Sequence, residues 1–307
     1  MSYRPIRFSG APGTPHGAAS QRRIIRCPGS AGRGKSEGCP DAPRRPPLLY
    51  LRIAGYGFRR HSAYRAAALA GAFTNTVFGI LRAYVLIALW QARPGLAGYD
   101  VADAVTFCFL SQAFIGPMQL FGGGMQLSER VRNGDIAVDL LRPASLQVWT
   151  LADDLGRAGY LVLLRSLPPT VVGAVLFGLV TPEDPATWAA FTVSCLLAVV
   201  VSFGWRYLIA LSSCWILDER GMQSLSIVMM MFFSGMILPL NLYPGLLGDI
   251  VRALPWAAIV QVPADVYLGK HDVTRALGFQ LLWAVALFAL GALATRAARR
   301  KVVIQGG

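Results

Sequence analysis

From residue 66 onward the chain is a succession of apolar runs, each close to the ~20 residues that a helix needs to cross a bilayer. They cover 66–91, 101–126, 158–180, 188–217, 222–238 and 274–295. In lipid every backbone N–H and C=O must find its partner within the protein, so runs of this length read as membrane-spanning helices. Composition agrees: 54% of the residues are hydrophobic and only 15% charged, against about a quarter charged in soluble domains. The expected fold is an all-α membrane protein with six transmembrane helices.

The punctuation between the runs gives the organisation. Residues 1–47 are rich in Gly, Pro, Arg and Ser and have almost no apolar periodicity. Such a stretch cannot offset its ordering entropy by burial and is expected to be disordered. It contains no apolar stretch that would serve as a secretory signal. Two readings stand for it: a polybasic tail on anionic lipid, or a translation start that lies downstream of Met1. Residues 48–307 then form the six-span membrane domain. Its first segment, 48–65, is basic and mildly amphipathic and reads as a helix on the inner face that feeds the first span. The second run is interrupted near Pro117 and followed by Gly122, Gly123 and Gly124, and the third carries Pro168 and Pro169. Between the fifth and sixth runs, Pro239, Pro244, Pro255 and Pro263 divide residues 238–269 into pieces too short to cross. These read as re-entrant or interfacial helices.

Six spans put both termini on one side, and the positive-inside rule chooses which. With the termini inside, 22 Lys and Arg lie on the inner side and four on the outer side (Arg93, Arg252, Lys270 and Arg275). Leaving out the tail before Leu48 still gives 13 against 4. The expected location is the plasma or inner membrane, multi-pass, with cytoplasmic termini and re-entrant helices outside. The net charge of +13 comes with no finger, recognition helix or basic–aromatic platform, so nucleic acid is not an expected partner.

Residues 129–143, ERVRNGDIAVDLLRP, form the longest mixed-charge segment within this apolar region. Gly134 can close a preceding helix in the left-handed conformation, Asp135 can cap a new one, and Pro143 stops it. At 100° per residue, Ile136, Ala137, Leu140 and Leu141 share one side and Asp135, Asp139 and Arg142 the other. A short amphipathic cytoplasmic helix of this kind presses against another surface, either a protein partner or lipid headgroups.

Three arginines remain within spans, Arg82, Arg165 and Arg206, each costing a few kcal/mol at the bilayer centre unless partnered. Arg165 is placed to snorkel to the inner interface. Arg206 is ambiguous because its run overshoots a bilayer. Arg82 lies deepest and is the best placed to contact an anionic group or helix-end carbonyls. No Asp or Glu lies near the middle of a run, which counts against an ion-coupled carrier. There is no Walker loop, HExxH or GxSxG. Asp153 and Asp154 admit a metal-assisted reaction on lipid, but with Arg157 nearby they fit helix-end electrostatics more simply. Five scattered cysteines and three distant histidines suggest neither a disulfide framework nor a metal site.

With these features in place, the chain resembles the membrane subunit of a type-two ATP-binding-cassette exporter. The resemblance is to actinobacterial permeases that carry R-x-G-D-I-A-x-D-L-x-R-P between spans two and three. Here that pattern is Arg132, Gly134, Asp135, Ile136, Ala137, Asp139, Leu140, Arg142 and Pro143. FRRHSAYRAA, SGMILPLNLYP, LPWAAIVQVPADV and the terminal KVVIQGG extend it over residues 48–307. The resemblance implies a permease that pairs with itself or a sister chain and binds two copies of a separate ATPase. ATP and magnesium would sit on that partner, with no cofactor on this chain. It implies that the helix after span two couples to the ATPase, with Ile136 and Leu140 filling a groove there and Asp139 and Arg142 as rim charges. It also implies an outer gate around Gly235, Pro239 and Pro244. The competing readings are a self-sufficient channel or ion-coupled transporter and a membrane-embedded lipid-modifying enzyme.

Overall fold

The computed structural model describes residues 48–121, 125–141, 145–216 and 220–305. The basic tail therefore falls outside the described residues, as do Arg142 and Pro143. Four of the described helices are long and apolar enough to cross a membrane. The first is α2 (Arg65–Ala92), preceded by α1 (Leu48–Ser62) across a two-residue turn. The second runs from Leu146 to Phe177 and comprises α6 (Leu146–Leu161), a π turn (Val162–Ser166) and α7 (Leu167–Phe177). The others are α8 (Pro185–Ser212) and α12 (Val273–Gln305). The expectation of a span at 158–180 is corrected at its start, because the helix begins at Leu146. Pro168 and Pro169 lack the N–H groups that carbonyls four residues earlier would use, and the chain widens into the π turn just before them rather than breaking.

The expected second and fifth spans, 101–126 and 222–238, are shorter than predicted. They appear as α3 (Val101–Phe114) and α9 (Arg220–Phe233), 14 residues each. α3 starts on a capping box, in which Asp100 accepts from the Asp103 backbone and Asp103 accepts in return from Asp100. It ends before Pro117, and residues 115–121 follow as turns. After α3 come α4 (Gln126–Arg132) and α5 (Ile136–Leu141), and after α9 come α10 (Gly245–Ala253) and α11 (Gln261–Tyr267). The last two belong to a pair of helical pieces, Gly245–Ala253 and Pro255–Tyr267, bent by 62°. The proline-bounded pieces expected there are therefore helical, and Pro255 sits at the bend.

α3 is the centre of the molecule. Residues 103–114 are all buried, packed among α2, α7 and α11. An all-round apolar helix can face lipid or protein, and here the enclosure is by the chain's own helices. α8 and α12 lie side by side, joined by Ser194 donating to Gln280 (2.8 Å) and by Tyr207 with Thr295 (2.8 Å).

α1 packs on α6 rather than only on the membrane face. The crossing is close because Gly156 meets the backbone of Ala54, where any β-carbon would collide with the Ala54 carbonyl. Phe58 stacks edge-on against Tyr160 at 5.5 Å, and Arg60 pairs with Asp153 at 2.6 Å.

Candidate functional site

A helix that stops inside a membrane protein leaves its last carbonyls without donors. At and just beyond the end of α3, side chains from other helices meet several of these carbonyls, and backbone turns meet others. Ser166 donates to the Ala113 carbonyl at 2.5 Å, and Ser202 to that of Met118 at 2.5 Å. Arg157 reaches two carbonyls at once, Gly116 (3.1 Å) and Pro117 (2.9 Å). Irregular backbone survives within a membrane protein where it is buried in protein and its polar groups find partners.

The arginines are held in turn by Asp154. Arg157 donates from Nε to Asp154 Oδ1 at 2.7 Å, and Arg206 reaches Oδ2 at 2.6 Å. Arg206 also donates to Gln119 (2.8 Å) and to Ser202 (3.3 Å). All three ionic side chains are at least nine-tenths buried. One carboxylate faces two guanidinium groups, and the excess positive charge is turned on the carbonyl end of α3, where a helix presents its negative pole. Arg206, ambiguous in sequence, is thus a buried structural cation. Asp153 and Asp154 divide their roles: Asp153 pairs with Arg60 at the surface, and Asp154 organises the interior. The i,i+3 spacing of Asp154 and Arg157 was a signal in the sequence for half of this network. Its other half spans 52 positions and had none.

This network forms one wall of a cleft of about 270 Å³. The opposite wall is α4 and α5. Arg130 of α4 makes a two-point ion pair with Asp139 of α5, Nη2 to Oδ1 at 2.8 Å and Nε to Oδ2 at 2.5 Å. Arg60 adds a hydrogen bond to Gln126 at 2.9 Å, which ties α1 to the start of α4. The cleft is therefore enclosed by α1, α4, α5, α6 and α8, stitched by charge.

The predicted orientation of α5 needs correction. Ile136 and Leu140 are buried in the chain itself, clustered with Leu127, Leu146, Phe203, Tyr207, Leu211 and Ala298. Asp139 is not a rim charge either, since its side chain is 2% exposed and paired with Arg130. The reason is the short α4–α5 hairpin, which folds the apolar side of α5 back onto α8 and α12 and leaves Val138 outward at 59% exposure. Arg132, Gly134 and Asp135 form the exposed turn between α4 and α5, with Gly134 at φ 80°, the left-handed closure expected of it.

The other two intramembrane arginines behave differently from each other. Arg82 donates from Nη2 to the Ile237 carbonyl at 2.6 Å and from Nη1 to Ser111 at 3.1 Å. It holds the non-helical segment after α9, gripping a backbone carbonyl beyond the helix end rather than an anionic group. Arg165 lies across Gly71 and Gly116. Because Arg82 uses two nitrogens on two separate acceptors, Arg82→Lys should insert normally yet unfold at lower temperature. The lost charge-assisted bond is worth about 1.5–3 kcal/mol. A thermal melt of the purified lysine variant matching the wild type would refute this.

Gly235 adopts φ 89° and sits against Gln261, whose Oε1 would be 2.8 Å from a β-carbon there. Pro239 and Pro244 flank the short turn Leu240–Leu242. Gln261 accepts from the Leu240 backbone at 2.7 Å and donates to Tyr99 and Asp265, each at 2.9 Å. Tyr99 donates to the fully buried Asp265. Burial, reinforced by that carboxylate, pushes the Tyr99 phenol above its ordinary value and keeps it a donor. Neither Tyr99, Gln261 nor Asp265 was singled out by sequence reasoning, although an isolated Asp in the apolar stretch LPWAAIVQVPADV was a visible signal.

A search against curated proteins returns no match. A family profile described as ABC-2 family transporter protein matches residues 76–306, a span that takes in α3, the capped break and the whole α4–α5 hairpin and leaves residues 1–75, with α1 and the start of α2, outside it. On that match, the chain belongs to the ABC-2 family of transporter proteins.

Proposed function

We propose that the chain is the permease subunit of an ATP-driven exporter, forming the translocation path and taking its energy from a separate ATPase chain. The observation that supports this most is the chain of side-chain contacts from the start of α4 to the broken end of α3: Gln126 to Arg60, Arg60 to Asp153 on α6, and on the same helix Arg157, which holds the Gly116 and Pro117 carbonyls. Within the hairpin, Arg130–Asp139 holds α4 to α5, and the apolar side of α5 is packed into α8 and α12. The cleft beyond is walled by Asp154, Arg206 and Arg157, and Arg157 grips the carbonyls of residues 116 and 117. Motion at the cytoplasmic surface would therefore reach the central helix directly. In this reading α3 and α9 each complete a crossing with the irregular segment that follows, making six. The charge asymmetry puts both termini and α4–α5 in the cytoplasm. The bent pair of helices and the Gly235, Pro239 and Pro244 segment lie outside as a gate. A second permease, the same chain or a sister, completes the path. Membrane lipids surround the complex, and ATP and magnesium belong to the ATPase.

An ion-coupled carrier would need a carboxylate free to exchange its partner. Asp154 is clamped between two arginines and Asp265 is bonded by Tyr99 and Gln261, which favours the ATP-driven reading.

The docking surface is the exposed side of the hairpin, Arg132 to Asp135 together with Val138. Val138→Asp combined with Arg132→Glu should leave the protein folded, because both side chains face outward. Loss of one buried valine, about 1.5–3 kcal/mol, amounts to one to two decades in association, and the charge reversal adds to it. The expected result is normal membrane insertion and melting temperature with loss of ATPase copurification and of transport. Copurification at wild-type yield would sink the assignment.

A further inference from the structure

Arg165 differs from the other buried or half-buried arginines. Arg60, Arg130, Arg157 and Arg206 each face a carboxylate, and Arg82 has two acceptors. Arg165 has no acceptor among the described residues, and its Nε is buried without a hydrogen-bond partner. It projects from the π turn Val162–Ser166, a local widening often found where a helix does something other than pack. Two glycines make room for it. Its stem crosses Gly116, with Cδ 3.0 Å from where a β-carbon would stand, and its guanidinium covers Gly71 of α2, with Cζ at 2.9 Å. Any larger residue at either place would push the arginine out of the groove.

The edge of this groove faces outward: Ala67 and Thr74, one turn either side of Gly71 on α2, and Val162, three residues before Arg165, are all exposed. On a membrane helix such residues face acyl chains. Gly71 lies six residues inside the start of α2, so the guanidinium sits roughly 9 Å along that helix from its first residue at 1.5 Å per residue. With the cytoplasmic end of α2 at Arg65, that is the depth of the inner leaflet just beneath its headgroups. A cation held there without a protein counter-charge is costly. An anionic group can meet it only from the lipid side. A planar fork of donors suits the oxygens of a phosphate.

We propose that Arg165 binds the phosphate of an anionic inner-leaflet phospholipid, in a groove between α2 and the π turn opened by Gly71 and Gly116. The inference takes from the proposed function only the orientation in the membrane and is independent of ATPase coupling. The same chemistry could be supplied by a soluble phosphate, and the test separates the two sources. Native mass spectrometry of the full detergent-purified chain would be titrated with phosphatidylglycerol, with phosphatidylcholine, and separately with inorganic phosphate. The wild type should bind its first phosphatidylglycerol about fivefold more tightly than Arg165→Gln, in line with one basic group at a membrane surface. Arg165→Lys should fall between them, and phosphatidylcholine binding should be the same in all three. Equal phosphatidylglycerol affinity in wild type and Arg165→Gln would overturn the proposal. So would binding of inorganic phosphate that is lost in Arg165→Gln, since the ligand would then be soluble. Should Arg165→Gln not fold, Gly71→Leu fills the groove and keeps the charge, and the same weakening is expected. A wild type with no preference for phosphatidylglycerol over phosphatidylcholine overturns the proposal without any variant.

Discussion

Asp154→Asn is expected to be the most damaging conservative change in the protein. It keeps the shape of the side chain and removes the charge that faces both Arg157 and Arg206. Two guanidinium groups, each at least nine-tenths buried, would then stand without a counter-ion, and breaking a buried pair in this way costs about 3–5 kcal/mol. The damage would spread, because Arg157 also holds the Gly116 and Pro117 carbonyls and Arg206 holds Gln119. The purified variant should melt well below the wild type and yield less monodisperse protein. The double change Asp154→Asn with Arg206→Gln should recover part of the loss by removing the more deeply enclosed orphaned charge, while Arg157 keeps its carbonyl acceptors. A single variant that melts within a degree of the wild type would mean that water in the cleft already solvates these arginines, and the network would lose its structural role.

The second large effect is expected at α5. Ile136→Asp together with Leu140→Asp places two carboxylates in a cluster with Phe203, Tyr207, Leu211 and Ala298. The apolar burial lost is about 1.5–3 kcal/mol per side chain, and the unpaired charges add several more. The expectation is failure to obtain a folded, monodisperse permease, whether or not an ATPase is present. The outward pair Val138 and Arg132 should behave in the opposite way, sparing the fold and disrupting association. These two variants separate what α5 does inside the chain from what the hairpin does outside it. A double Asp variant that stayed folded with an unchanged melting temperature would show that Ile136 and Leu140 face outward after all.

The contrast at α5 shows how far a sequence carries. Period 3.6 correctly put Ile136 and Leu140 on one side, and Gly134 marked the turn. Periodicity states which residues share a face and is silent on what that face meets. A six-residue helix can turn its apolar side to a partner, to lipid or to its own chain, and the choice depends on the path of α4 and on space beside α8 and α12. The same holds for Asp139, which the helical wheel placed opposite Ile136 and which Arg130 draws into the interior.

What the sequence determined by itself rests on interactions local along the chain. Apolar runs of bilayer length dictate a helical membrane protein, Pro117 and Pro168–Pro169 mark where helices end or widen, and the distribution of Lys and Arg carries a strong expectation of orientation. The motif around Gly134 and Asp135 pointed to the family that the match over residues 76–306 then established. The tertiary structure alone decided where the charges went. Asp154 meets Arg206 across 52 positions, Arg82 meets the Ile237 carbonyl across 155, and Tyr99 meets Asp265 across 166. Contacts at such separations leave no periodic trace, because they depend on which helices the packed bundle brings side by side. They also determine that Arg206 is spoken for while Arg165 still lacks an acceptor among the described residues, a difference that two arginines in two apolar runs do not display.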